Sequence, residues 1–288
     1  MKLLLHKNTS ADIKRFLEHP KHAMLIEGLE GVGKGAVAEY IAAEVLKDST
    51  EKLGIYPYYL HVEPDGTSIS IDTVRNIQRF MHLKTLGTQD LRRVLIIERA
   101  QTMTIEAQNA FLKLLEEPPA DTLIILTAIS ATKLLPTLRS RVQTIHINVP
   151  AESDIREYFN ELGFAKADIT RAYHISQGRP GLMQAVLQKD NTHELVAQIE
   201  KAKKLLAEPV ANRLGEIDEL AKQKESLGEL MHALELVCHA ALVQASERHQ
   251  TPQIKRWHKA MARLSNAQQD YAHNANPKLL LSDLMLNL

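Results

Sequence analysis

The stretch EGLEGVGKGAVAEYIAAEVL, residues 27–46, decides the fold of the first part of the chain. It overlaps the end of a short apolar run, AMLIEG, that predicts a buried strand, and it continues into GAVAEYIAAEVL, which has the apolar spacing of a helix. Between them, Gly28, Gly33 and Lys34 have the spacing G-x-x-x-x-G-K of a phosphate-binding loop, which turns backbone N–H groups toward phosphate oxygens. The alternative is a glycine-rich turn that holds no ligand.

Two parts of a nucleotide hydrolysis site are missing from this pattern. A Ser or Thr that holds Mg²⁺ normally follows the loop lysine, but this chain has Gly35 there. In the run VLIIERA, the acid on the metal side would be Glu98, and Arg99 takes the position of a water-activating acid, although an arginine cannot accept a proton at neutral pH. The alternative reading of Glu98 and Arg99 is a solvated pair at a strand end. ATP or ADP is thus a candidate ligand, with Mg²⁺ weakly held or absent. The candidate nucleotide-binding residues are Gly28, Gly31, Gly33, Lys34, Gly35 and Glu98.

Strand and helix patterns alternate up to about residue 149. The predicted strands after the first are YYLHVEP, RRVLIIERA, DTLIILTA and TIHINV, and the predicted helices are SIDTVRNIQRFMHL and TIEAQNAFLKLLEEPP. Such alternation predicts an α/β domain with a parallel sheet covered on both faces. After Pro150 the strand signal disappears. The sequence therefore predicts three domains: an α/β nucleotide-type domain over 1–149, a small helical lid over 150–190, and an all-α domain over 191–288.

The composition is that of a core-forming protein without a strong charge. Of 288 residues, 44% are hydrophobic and 24% charged, and Lys+Arg and Asp+Glu are both 35. Net charge therefore gives no sign of a strongly basic nucleic-acid binder. The single cysteine, Cys238, excludes a four-cysteine zinc module, so no zinc is expected. The apolar run at the start is too short for a signal peptide, and no later run is expected to span a membrane, so we expect a cytoplasmic protein.

Several segments, taken in order, resemble the bacterial DNA polymerase III clamp-loader family, a branch of the AAA+ ATPases. HAMLIEGLEGVGK is similar to its phosphate loop, and SISIDTVRNIQRFM resembles the helix after its second strand. RRVLIIERAQTMTIEAQNAFLKLLEEPP is close to the family's segment from the Walker B strand through the L-L-K-x-L-E-E-P-P helix. LLPTLRSRVQ, SQGRPG and NPKLLLSDLMLNL correspond to the P-T-I-R-S-R-C motif, the lid glycine motif and the C-terminal tail. The resemblance implies an AAA+-like first domain, a lid and a C-terminal collar that holds subunits together.

Within the family, the details favour the delta-prime branch over the ATP-hydrolysing gamma/tau branch. The lid position at which gamma-like members carry a phosphate-contacting arginine is Gly181 here, and Arg179 is out of register. The chain departs from most members because it lacks their zinc module, and because Val142 replaces the motif cysteine. The resemblance therefore implies a chain that is not an ATPase on its own. The alternatives are a gamma/tau-like motor subunit and, less favoured, a small-molecule P-loop kinase.

The resemblance gives a role to Arg141 and Ser140. In the family, this Ser-Arg pair projects toward ATP on a neighbouring subunit, where a guanidinium stabilises charge on the transferred phosphoryl group. Arg141 is therefore the candidate trans arginine finger, while Ser140 shapes the turn and Arg139 supports it or contacts the neighbour. The alternative is that Arg141 pairs with a nearby carboxylate of its own chain.

The implied partners are the other clamp-loader subunits, gamma/tau and delta, in a pentameric ring. The sliding clamp would be contacted indirectly, and primed DNA weakly as part of the complex, since a ring interior presents basic side chains to the DNA backbone. Arg75 and Arg79 are candidates for that contact, and a solvated helix face is their alternative. Trp257 is expected in a core or at an interface. No membrane partner is expected.

Overall fold

A computed structural model describes residues 3–86, 90–190, 193–222 and 224–288 of the chain. The chain divides into two compact units, Met1–Ile155 and Arg156–Leu288. The first unit contains the sheet, and the second consists of helices. The finer boundary expected near residue 190 stays a prediction.

The first unit contains a five-stranded sheet in the order β2-β3-β4-β1-β5. Its strands are β1 Ala23–Glu27, β2 Tyr59–Val62, β3 Arg93–Ile97, β4 Thr122–Ala128 and β5 Gln143–His146. Every pairing between them is parallel. The predicted parallel α/β fold is therefore confirmed, and the carboxyl ends of all five strands lie along one edge of the sheet.

Helices cover both faces of this sheet. They are α1 Lys7–Glu18, α2 Lys34–Leu46, α3 Ile71–Met81, α4 Ile105–Glu116 and the short α5 Pro136–Arg139. Because successive strand residues point to opposite faces, Ile26 packs with Ile41 of α2, whereas Leu25 packs with Phe111 of α4. The central strands β1, β3 and β4 are apolar and buried on both sides, as a covered parallel sheet requires, whereas the outer strands β2 and β5 are partly exposed.

Side chains at the helix starts set the boundaries of α3 and α4. Ser70 Oγ accepts a hydrogen bond from Thr73 N at 3.2 Å, and Thr104 Oγ1 accepts one from Ala107 N at 3.1 Å. These bonds satisfy N–H groups that have no partner inside the helix. Helix α4 ends at Glu116, just before the predicted stop at Pro118 and Pro119.

The second unit is built from helices around one hydrophobic cluster. They are α6 Glu152–Glu161, which contains the boundary, α7 Lys166–Ser176, α8 Pro180–Gln188, α9 Glu194–Ala207, α10 Val210–Gly215, α11 Ile217–Lys222, α12 Lys224–Glu247, α13 Thr251–Ala272 and α14 Pro277–Asn287. Trp257 is half-buried against this cluster, and Cys238 is fully buried in it. The helical character of the C-terminal part is confirmed.

One segment of α12 has the length and composition of a membrane span. Ser226–Glu247 is apolar and long enough for this, so the expectation that no run has membrane-spanning length was wrong. Leu227, Leu230 and Leu234 on it are buried in the core of the second unit. Because the core helix of a folded domain meets the same criteria, this segment is weak support for a membrane span.

Candidate phosphate-binding loop and arginine groove

The glycine loop lies where β1 passes into α2. Gly28 follows β1, and its N–H donates to Ala128 O on the neighbouring strand at 3.2 Å. Gly31 and Gly33 have φ of 80° and 92°, a left-handed backbone that favours glycine. The loop glycines therefore have the conformations that the phosphate-loop pattern needs.

Lys34 is bonded to the loop that it follows. Its Nζ donates to the carbonyl oxygens of Gly28 and Leu29 at 2.8 and 2.9 Å. The ammonium group thus lies against the loop, where a phosphate oxygen would compete with these carbonyls. The strand, loop, lysine and helix all have the arrangement predicted from the sequence.

Glu98 occupies the space beside Gly35. The residue follows β3, and its N–H donates to Val62 O at 2.8 Å. A Cβ added at Gly35 would overlap Glu98 Oε1 and lie 3.2 Å from Glu98 Cδ. The carboxylate therefore lies where a Ser or Thr side chain at position 35 would begin. Glu98 can take this position only because residue 35 has no side chain.

His61 holds Glu98 in this position and was missed by the sequence analysis. Its Nε2 lies 3.2 Å from Glu98 Oε1. The hydrogen bond to Glu98 raises the pKa of His61 above the ordinary 6.5, while burial opposes the shift. On the other side of the ring, His61 Nδ1 lies 3.9 Å from Glu39 Oε1 of α2. The alternation in YYLHVEP, which puts Tyr59, His61 and Glu63 on one face, was the available signal.

Tyr59 lies next to His61 and Glu98, and its hydroxyl is buried near their charges. Its hydroxyl is buried and has no hydrogen-bond partner among the described residues. Burial raises the pKa of Tyr59 well above 10, and the nearby Glu39 and Glu98 carboxylates raise it further. The phenol therefore stays neutral, and the negative charge of the cluster belongs to the glutamates.

The donor set at this edge does not fit the Mg²⁺ of a hydrolytic phosphate loop. His61, Glu63 and Glu98 could together hold a metal ion, since their ligand atoms lie within 4.8 Å of one another. Mg²⁺, however, takes oxygen ligands in near-octahedral geometry, and imidazole suits transition metals better. Position 35 supplies no hydroxyl, and Glu98 is bonded to an imidazole. This edge of the sheet therefore does not supply the ligand set of a hydrolytic Mg²⁺ site.

Arg99 marks the sharp turn after β3. It has φ of 48°, and its N–H donates to Thr127 Oγ1 of β4 at 3.1 Å. The left-handed backbone is uncommon for a residue with a Cβ. A guanidinium at this position cannot serve as a proton acceptor, because it stays protonated at neutral pH.

Arg141 lies in a groove formed by α4, α5 and the segments that precede β1 and β5. Its Nη2 donates to Glu116 Oε1 at 2.6 Å, and its Nη1 donates to Thr137 O at 2.7 Å. Ser140 Oγ, 3.4 Å from Nη1, donates in turn to Thr137 O at 3.0 Å. The intrachain carboxylate pairing that the sequence left open is therefore present. Arg139 is exposed and makes no side-chain bond with a described residue.

The groove has a volume of about 450 Å³. It is lined by Lys21, His22, Leu115, Glu116, Ser140, Arg141, Val142 and Gln143. The side chain of Arg141 is 35% exposed and that of Glu116 is 50% exposed. The guanidinium is thus accessible from outside the chain, in a groove that it shares with Lys21.

The glycine loop lies at the carboxyl ends of the strands, and Arg141 lies at their amino ends. In the parallel pairing of β1 with β5, Met24 is opposite Gln143 and Glu27 is opposite His146. Arg141 is therefore level with residue 22, whereas Gly28 lies six residues further along. At about 3.3 Å per residue, the two levels are roughly 20 Å apart, which is more than an arginine side chain spans.

The lid position in the second unit carries no arginine that projects outward. Arg179 precedes α8, is only 3% exposed, and donates through Nε to Ser176 O at 2.7 Å. Gly181 is the second residue of α8 and offers no side chain. The misregister of this arginine relative to the lid motif stays a prediction.

The basic residues proposed for DNA contact are paired locally. Arg75 Nη1 lies 2.7 Å from Asp72 Oδ1, and Arg79 Nη1 donates to Asn76 Oδ1 at 3.2 Å. These pairs within one helix turn are typical of a solvated helix face. A DNA-binding role for either arginine stays a prediction.

Comparison with known proteins assigns the family. The family described as DNA polymerase III, delta subunit, matches residues 6–151, half of the chain. The chain belongs to the DNA polymerase III delta subunit family. This membership confirms the predicted resemblance to the clamp loader. The matched region contains both the glycine loop and the arginine groove.

Relatives of this delta subunit family member agree with the assignment. The DNA polymerase III subunit delta′ of Pseudomonas aeruginosa is 31% identical over 209 residues, which cover 66% of this chain and 63% of that protein. The chain thus spans less than two thirds of this relative's length. The gamma/tau subunit of Mycobacterium tuberculosis is 30% identical over 135 residues, 42% of this chain and 23% of that protein.

A solved structure supports the fold alone. It is a DNA polymerase III gamma subunit-related protein from Thermotoga maritima, with a TM-score of 0.54 and 20% identity over 97% of this chain and 98% of that chain. At this identity the likeness does not extend to activity.

Proposed function

We propose that this chain is a delta-prime-like stator of a clamp loader, which supplies Arg141 to the nucleotide site of a neighbouring subunit and does not hydrolyse ATP itself. The main support is the position of Arg141 at the opposite end of the strands, roughly 20 Å from the level of the chain's own glycine loop. An arginine so placed can meet a nucleotide only if another chain brings it.

The lack of hydrolysis is proposed from three features of the glycine-loop edge. Position 35 has no hydroxyl, and position 99 offers a cation where a proton acceptor is needed. Glu98, the remaining acid, is hydrogen-bonded to His61. Hydrolysis in phosphate-loop enzymes needs the metal and an oriented water together. The loop and Lys34 keep the means to bind ATP or ADP without turnover.

The ring role is supported by the exposed surface of the last helix. Leu279 and Leu286 lie seven residues apart on α14, hence on one helix face, and are 71% and 55% exposed. Such a face suits a contact with the collar helices of gamma/tau or delta in a pentameric ring. The sliding clamp would be met through the complex, and primed DNA weakly, in the cytoplasm.

Replacing Arg141 by alanine in a reconstituted loader tests the trans role. Hydrolysis at the site beside this chain should fall by about 10³-fold or more, since a trans arginine contributes about that much in comparable systems. The loader's total rate of ATP hydrolysis should fall by the fraction that this one site contributes. Lys133→Ala is the matched control, because Lys133 is an exposed cation between β4 and β5 that does not line the groove. An unchanged single-turnover rate with Arg141→Ala would remove the trans role.

The complete glycine loop also favours a second candidate, a gamma/tau-like motor subunit. Binding of labelled ATP with and without Mg²⁺ separates the two functions. The stator should bind ATP without turnover and with little Mg²⁺ dependence. Steady, Mg²⁺-dependent turnover by the isolated chain would establish the motor.

A further inference from the structure

We propose that Glu116 is a competing partner of Arg141, which holds the guanidinium until phosphate groups of the neighbour's nucleotide displace it. This inference rests on the proposed trans role of Arg141. It adds a residue that controls when the arginine is available. Glu116 would thus be a positioning residue, since it acts through Arg141 and does not touch the nucleotide.

The pairing geometry carries the proposal. The 2.6 Å bond from Arg141 Nη2 to Glu116 Oε1 is charge-assisted, and it uses the planar group that would otherwise face a phosphate. The Nη1 bond to Thr137 O anchors the other side of the guanidinium to α5. Displacement of Glu116 alone would therefore free one side of the group while the anchor keeps its position.

The charges that line the groove make a phosphate and the Glu116 carboxylate compete for the same cations. Lys21 and Arg141 supply two cationic groups, and Glu116 supplies one carboxylate. A phosphate that enters the groove is attracted by the cations and repelled by Glu116. Because Glu116 is half-exposed, its carboxylate can turn into water when the phosphate takes its place. After that exchange, Lys21 remains as a second cation in the same groove.

The neighbouring glutamate provides a matched control. Glu117 is exposed, adjoins Glu116, and makes no side-chain bond with a described residue. Glu116→Gln and Glu117→Gln remove the same charge from nearly the same place. Only the first change removes the anion bonded to Arg141, so general electrostatics and local competition give different results.

The experiment uses the reconstituted loader and a double-mutant cycle. Glu116→Gln should lower the ATP concentration for half-maximal rate at the neighbouring site by about two- to fivefold, the range expected for a partly exposed ion pair. Glu117→Gln should have a clearly smaller effect. In an Arg141→Ala background, Glu116→Gln should have none, since the pair is already broken. An unchanged or raised half-maximal concentration with Glu116→Gln would overturn the proposal.

A second measurement distinguishes failure of this inference from failure of the trans role. Inorganic tripolyphosphate is titrated by calorimetry into the isolated full chain carrying Lys34→Ala, which removes the cation of the glycine loop so that binding reports the groove. Glu116→Gln should bind it about two- to fivefold more tightly, and this gain should vanish in the double variant with Arg141→Ala. If Arg141→Ala leaves the loader unaffected while this gain persists, the trans role fails and the competition stands. If Arg141→Ala slows the loader but the gain is missing, only the competition fails.

Discussion

Replacing Gly35 by alanine tests how the glycine and Glu98 share the space at the start of α2. The added Cβ would overlap Glu98 Oε1. Because this atom is the end of a flexible side chain, the carboxylate can rotate away without a backbone shift. That rotation breaks its hydrogen bond to His61, which is 3.2 Å long in the structure. The substitution therefore removes a helical glycine and an ion pair together.

The two effects are of similar size and opposite sign. Gly→Ala at a helical position with compatible φ stabilises by about 0.4–1 kcal/mol. Loss of the His61–Glu98 bond costs about 1 kcal/mol when His61 is charged, since each side chain is 25% exposed. The pKa of His61 is raised on folding, so the pair's contribution is fully present below pH 6.5 and is lost as pH rises through the raised pKa.

The sign of the stability change should therefore depend on pH. At about pH 5.5 we expect Gly35→Ala to be neutral or slightly destabilising, and at about pH 9 stabilising by about 0.4–1 kcal/mol. Urea unfolding followed by circular dichroism gives the free energy of unfolding of both proteins at each pH. In a His61→Gln background, the substitution should have the same effect at both pH values, because an amide does not titrate. An equal effect at both pH values in the single variant would refute the assigned overlap.

Two further predictions concern the cores of the units. Phe111→Ala should lower the free energy of unfolding, measured by urea denaturation, by about 3–5 kcal/mol, because Phe111 is fully buried under the sheet. Ile105→Ala on the same helix is the control and should change it little, since Ile105 is 64% exposed. Burial raises the pKa of the Cys238 thiol to about 12, so the native chain should not react with a thiol reagent near pH 8 and should react fully once unfolded; rapid native labelling would contradict this burial.

Local patterns were sufficient to predict the strands and the glycine loop. Strands β1, β3 and β4 are apolar runs, and Gly31 and Gly33 adopt the backbone that their spacing implied. Helix α1 was missed because its buried face is small, with Thr9, Ile13 and Phe16 among many polar residues. Their spacing of i, i+4 and i+7 is that of one helix face, so the periodic signal was present in the sequence.

Contacts between distant segments were not predictable in the same way. His61 and Glu98 meet because β2 and β3 pair with Val62 opposite Ile97, and a register shift of one residue would separate them. Arg141 and Glu116 are 25 residues apart in sequence. A carboxylate partner for Arg141 could be foreseen as a possibility, but only the packing of α4 beside the start of β5 selects Glu116.

Under the proposed function, the separation of the two sites would let the glycine loop lose hydrolysis while the groove keeps Arg141. No partner of Arg141 in the groove, neither Glu116, Thr137 nor Ser140, belongs to the glycine loop or to the residues around Glu98. Substitutions at positions 35 and 99 therefore leave the groove unchanged. Under the proposed function the reverse path is longer, because hydrolysis would need a hydroxyl at 35, a proton acceptor at 99 and the release of Glu98 from His61 together. Losing the proposed trans role, by contrast, would take one substitution at Arg141. Selection on the neighbour's ATPase would thus preserve the groove while placing no demand on the loop's own chemistry.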